Sequence, residues 1–200
     1  MLSGGHIAAI GAGLAGVGVA AYLVFRSQSE SADDSGGGGG GAGAPDDREL
    51  EALARVIQSE AGGEPWPIQV AVAWATKNEA RREGRSILAL VTRPTGGWSH
   101  QGGAGGNYYC TTAVAPGSAA TELARQIQAG ELPDPTHGAV QYDSPKAQRD
   151  AARRGLKRYL HADGTPITPE EVAEDRRRDG KELVLLPGIP EERFRMWRRA

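Results

Sequence analysis

The sequence predicts a mainly α-helical (α+β) domain with a glycine-rich loop and β region, preceded by a hydrophobic helix and a flexible linker. Three observations predict it. Apolar residues recur with a helical period beyond Asp46, glycine pairs crowd the stretch between Pro94 and Gly117, and the chain before Pro45 splits into an uncharged run and a tract of Ser, Asp and Gly. Two hundred residues suit one domain with appendages. The expected organisation is an anchor at 1–26, a linker at 27–45, a main folded domain at 46–145, and a helical extension with a basic tail at 146–200.

Net charge is −2, with the acid excess before residue 48 and a basic excess after residue 145. That mixture is too mild for a nucleic-acid partner, which calls for a basic domain. The low aromatic share, 6%, and negative mean hydropathy exclude a polytopic membrane protein. The single cysteine, Cys110, excludes an intrachain disulfide and any multi-cysteine metal site. His100, His137, His161 and Asp143 lack any metal-ligand spacing, so neither a metal nor another cofactor is expected.

Ile7 to Phe25 carries no formal charge over 19 residues. As a helix it would reach roughly 28 Å, near the thickness of a bilayer's hydrocarbon core. Ala8, Ala12, Gly16 and Ala20 form a small-residue stripe that lets helices approach closely. The expectation is an uncleaved membrane anchor. The alternatives are a signal peptide, which lacks a preceding Lys or Arg here, and a hydrophobic tail packed inside a phage virion. Ser27 to Pro45, with glycine at every position from Gly36 to Gly41, cannot bury apolar surface and reads as a tether.

Asp46 or Asp47 caps a first helix with Leu50, Leu53, Ala54 and Ile57 on one face, and Gly62-Gly63 ends it. A second helix, from about Pro67 to Arg82, is apolar almost all round and should be the buried centre. Ser86–Val91 reads as a short third helix. Ser118 caps a fourth, which Gly130 closes. Pro145–Leu160 reads as helical, and Thr168-Pro169 with Glu171 reads as a capping box opening another helix. Glu182–Leu186 is a candidate strand.

Glu60 is the residue that physics singles out. It follows Ile57 by three and Leu53 by seven, which puts it beside the buried face, and it lies in the helix's last turn, at the negative end of the dipole. Both circumstances favour the protonated carboxyl, the form a glycosidase needs to protonate a leaving oxygen. The competing reading is a solvated glutamate at a fraying helix end.

The string Leu53-Ala54-Arg55-Val56-Ile57-Gln58-Ser59-Glu60-Ala61-Gly62-Gly63-Glu64-Pro65, continuing through Gln69-Val70-Ala71-Val72-Ala73 to Asn78, resembles the opening motif of the SleB-like (spore-cortex-lytic) cell-wall hydrolases. Pro133-Asp134-Pro135-Thr136-His137-Gly138-Ala139-Val140-Gln141-Tyr142 is similar to that family's Asp-Pro-Thr-x-Gly-Ala segment. The resemblance covers roughly residues 50–145. It implies a lysozyme-like fold, peptidoglycan as substrate and partner, and Glu60 as the catalytic acid of a muramidase or lytic transglycosylase. Gly97-Trp98-Ser99 stands where the family has Gln-Phe-Ser, and Glu79 stands where it has Arg.

Asp134 and Asp143 are the candidates for a second carboxylate, competing with a turn-forming role for Asp134 and a capping role for Asp143. Trp98, Asn107, Tyr108, Gly138 and Tyr142 are the expected substrate-binding residues, with Tyr109 as a further groove liner. Trp98 and Tyr142 suit the core equally well. Gly138 is expected to allow close backbone approach or a positive φ.

Two other classes compete. Cys110 with His100 or His137 would make a peptidoglycan peptidase, although no helix dipole favours the thiolate there. A non-catalytic glycan-binding or virion module would keep the fold without the chemistry. Arg193, Arg195, Arg198 and Arg199 around Phe194, Met196 and Trp197 suit either a docking surface or an apolar strip packed back on the domain. The expected location is the cell envelope, with the domain facing the wall, or a phage virion.

Overall fold

The computed structural model describes residues 46–92 and 115–200. The candidate anchor Ile7–Phe25 and the tether lie outside them. Among the described residues, no helix is long and apolar enough to cross a membrane.

Helix α1 spans Asp47–Ala61 and is capped by Asp46, whose carboxylate accepts the Arg48 N–H at 3.0 Å. Leu53, Ala54 and Ile57 on its expected face are fully buried. Gly62 follows its last residue with φ −60°, a value any residue adopts, so this glycine is there for space and not for dihedral freedom. A Cβ there would lie 2.4 Å from the Gln58 carbonyl oxygen, a distance no side chain tolerates.

Helix α2, Trp66–Arg82, starts one residue earlier than expected and is buried along most of its length, packing on α1, on the helices at 87–92 and 118–129 and on the strand at 141–143. Ile68 and Val70 to Ala75 are all buried. A short α3, Ile87–Thr92, is capped from a distance: the Glu49 carboxylate accepts the Ile87 and Leu88 N–H groups at 2.7 and 3.1 Å. In α4, Ser118–Ala129, Gly117 takes the capping position and Ser118 is already helical. Gly130 closes α4 at a left-handed φ of 73°.

Helix α5, Pro145–Arg153, is capped by Ser144, whose hydroxyl accepts the Ala147 N–H at 3.2 Å. It stops well short of the expected Leu160. Gly155 turns left-handed there, and a 3₁₀ turn at Lys157–Tyr159 follows. Helix α6, Pro169–Arg178, opens on the expected capping box, in which Thr168 and Glu171 satisfy each other's backbone N–H groups at 2.7 and 3.2 Å.

The β structure is a three-stranded antiparallel sheet in the order β1 (Gln141–Asp143), β3 (Arg195–Arg199), β2 (Lys181–Val184). Met196 sits at its centre, opposite both Tyr142 and Val184. Phe194, Met196 and Trp197 are buried, so the apolar part of the basic tail packs inward as the middle strand. The boundary expected at 145/146 therefore cuts through one sheet. Val184, Leu186, Phe194 and Met196 share a core with α1, α2 and α4, while Ala151, Ala152, Tyr159 and Val172 form a second, smaller cluster. The architecture is mainly helical with a small sheet.

Candidate functional site

Glu60 lies in the last turn of α1 and is 4% exposed. Its face is the buried one, continuing the line of Leu53 and Ile57, as the spacing predicts. It is no solvated glutamate at a frayed end. The turn that follows is held from several directions. The Glu64 N–H donates to the Ala61 carbonyl at 2.9 Å, and the Gln69 side-chain amide donates to the Glu64 carbonyl at 2.7 Å. The Arg193 guanidinium reaches the Glu64 carboxylate at 2.9 Å, tying the chain before β3 to the α1–α2 turn. A 129-residue separation leaves that pairing without any local sequence signal.

Gly117, just after the described chain resumes at residue 115, also sits against this end of α1. Its N–H donates to the Gln58 side chain at 3.2 Å. Trp98, Asn107, Tyr108, Tyr109, His100 and Cys110 lie outside the described residues.

The second motif is a hydrogen-bonded lock between α2 and β1. One Asp134 oxygen accepts the Thr136 N–H at 2.7 Å and its hydroxyl at 2.6 Å. The other accepts the Gly138 N–H at 3.1 Å and the Asn78 amide at 2.9 Å. Asn78 donates also to the Ala139 carbonyl at 3.1 Å. Thr136 and Ala139 are fully buried. Burial alone would raise the Asp134 carboxyl, but the bonds from Thr136, Asn78 and the Gly138 N–H hold it below the usual aspartate range. Asp134 is a turn-forming residue, engaged in binding its own loop.

Because its folded pKa is depressed, Asp134 contributes stability that is present above its unfolded pKa and is lost as pH falls through the folded one. Asp134→Ala should cost about 2 kcal/mol at neutral pH. In urea titrations at a series of pH values, the gap between variant and parent should narrow below about pH 4. A gap constant down to pH 2 would show that the carboxylate charge plays no part.

Gly138 has φ +82° and follows His137 at φ +51°, so two consecutive residues are left-handed. Nothing lies within 4 Å of a Cβ built at Gly138. Of the two reasons expected for this glycine, the positive φ is present, and no neighbouring protein atom makes the close approach. Gly138→Ala should destabilise by about 1 kcal/mol and Gly138→Asn by less, since asparagine tolerates the left-handed region. Equal thermal midpoints for the two variants would contradict this.

Tyr142, expected as a groove liner or core residue, is buried with its ring stacked on Phe194, centroids 5.5 Å apart. Asp143 is 1% exposed and fully engaged. It accepts from the Trp197 indole at 2.7 Å, the Gln148 amide at 2.9 Å and both the Nε and an Nη of Arg195, with Nε at 3.2 Å. Arg195 donates onward to the Pro169 carbonyl at 3.1 Å, which fastens the start of α6 to the sheet. Asp143 is thus the anchor of a buried ion pair, and Ser144 is the helix cap.

His137 and His161 are exposed, and His161 lies 3.2 Å from Glu171. Among the described residues, no group of three or more His, Cys, Asp or Glu side chains is arranged to hold a metal. No family model, curated protein or solved structure matches the chain.

Proposed function

We propose that the protein cleaves the glycan strands of peptidoglycan, as a muramidase or lytic transglycosylase with a lysozyme-like fold and Glu60 as its single general acid/base. The observation that carries this reading is the placement of Glu60. The acid of the motif that resembles the SleB-like hydrolases is 4% exposed, at the carbonyl end of α1, ahead of a turn held by Gln69 and Arg193. In this mechanism the Glu60 carboxyl protonates the glycosidic oxygen as the bond breaks. The resulting carboxylate takes the proton of the sugar's own C6 hydroxyl, whose oxygen closes a 1,6-anhydro ring on the anomeric carbon. Glu60 ends reprotonated.

Hydrolysis by either stereochemical route uses a second carboxylate at a fixed spacing from the first. Asp134 and Asp143 are each committed to structural hydrogen bonds, which favours the intramolecular route. Residues 7–25 would anchor the domain in a membrane facing the wall, or within a virion.

Mass spectrometry of fragments released from purified peptidoglycan tests the proposal. Anhydro ends, one water lighter than reducing ends, are the expected products. Reducing ends would make it a hydrolase, and cleavage of the peptide stems would overturn the glycosidase reading.

A further inference from the structure

Pro65-Trp66-Pro67 is an exposed apolar triplet directly beyond the Glu60 turn, and the function of Glu60 does not account for it. Trp66 is 48% exposed, whereas Trp74 and Trp197 are 7% and 0% exposed. Proline on both sides and entry into α2 restrict its backbone, so the indole is presented from a stiff position. The Glu64-to-Ala61 hydrogen bond brings those two residues within turn distance. Two further residues reach Trp66 and one reaches Glu60, so their Cα atoms lie within about 18 Å. The Glu64–Arg193 pair stands beside the triplet and supplies polar groups at its rim.

An exposed, rigid aromatic face with polar neighbours matches the chemistry of a pyranose ring, whose C–H face stacks while its hydroxyls seek donors and acceptors. We propose that Trp66 is a sugar-stacking platform that seats a β-linked glycan strand a few sugars from Glu60, a binding residue outside the catalytic step. This inference rests on the glycan reading of the site.

The test uses the full-length protein with soluble uncross-linked glycan strands, comparing Trp66→Ala, Trp66→Tyr and the parent. Trp66→Ala should raise KM about tenfold with kcat retained, and Trp66→Tyr should recover most of the loss. The thermal midpoint should stay nearly unchanged, as for other exposed substitutions. In the Glu60→Gln background, co-sedimentation with insoluble peptidoglycan should weaken to a similar degree when Trp66→Ala is added.

Several outcomes separate the two ideas. If the parent cleaves glycan while Trp66→Ala leaves KM and co-sedimentation unchanged, the platform is wrong and the enzyme reading stands. A fall in kcat alone also overturns the platform. If the parent binds without cleaving and Trp66→Ala weakens binding, the platform stands and the enzyme reading falls. A parent that neither binds nor cleaves glycan sinks both.

Discussion

Glu60→Gln should lower glycan cleavage by about 10²- to 10⁴-fold, the usual worth of a general acid–base group. The substitution keeps side-chain length and shape and removes the transferable proton. Because Glu60 is 4% exposed, a shape-preserving change matters: a smaller residue would open a cavity and confuse loss of chemistry with loss of fold. The variant should therefore unfold cooperatively with the circular dichroism of the parent. Cys110→Ser under the same assay should be nearly as active as the parent. The reverse pattern, an active Glu60→Gln and a dead Cys110→Ser, would replace the glycosidase with a thiol peptidase. If neither change matters and glycan still binds, the domain is a binding module.

The second large effect belongs to Asp143, and it is on stability. Asp143→Ala leaves the Arg195 guanidinium, 4% exposed, without its counter-charge, and the Trp197 and Gln148 N–H groups without their acceptor. Removing one member of such a pair costs about 3–5 kcal/mol, a large part of the 5–15 kcal/mol that typically holds a domain together. Urea unfolding should show the midpoint collapse. At a temperature where the variant remains folded, cleavage should persist, because Asp143 serves the sheet. A stable, inactive Asp143→Asn would instead make it the second carboxylate.

These two acids show what a sequence discloses and what it hides. Glu60 was legible because its position follows from spacing within one helix, where Leu53 and Ile57 mark the buried face. The capping box at Thr168 was legible for the same reason: both partners lie within one turn. Asp143 was not, because its cation stands 52 residues away. Strand β3 was hidden by the same pair. Phe194, Arg195, Met196 and Trp197 are all buried, so the strand shows no alternation of apolar and polar positions, and a buried arginine mimics an exposed one. The Asp134 loop was half legible. Its own turn is local, but the Asn78 amide that locks it to α2 arrives from 56 residues earlier. Trp66 carried no signal, because its exposure follows from the turn that leads into α2.

The strand order β1-β3-β2 has a consequence for synthesis on the ribosome. Both outer strands precede the one they flank, so neither can find its neighbour until residues 195–199 have emerged. At about 5–20 residues per second, Asp143 waits several seconds after its own synthesis for Arg195 and Trp197, and Tyr142 waits as long for Phe194. The helical half, rich in contacts near in sequence, can assemble during that interval. The nascent chain therefore passes through a stage in which Glu60's helix is built while the sheet is still open. A ribosome stalled short of Arg195 would display that unfinished edge to the cell's proteases and chaperones.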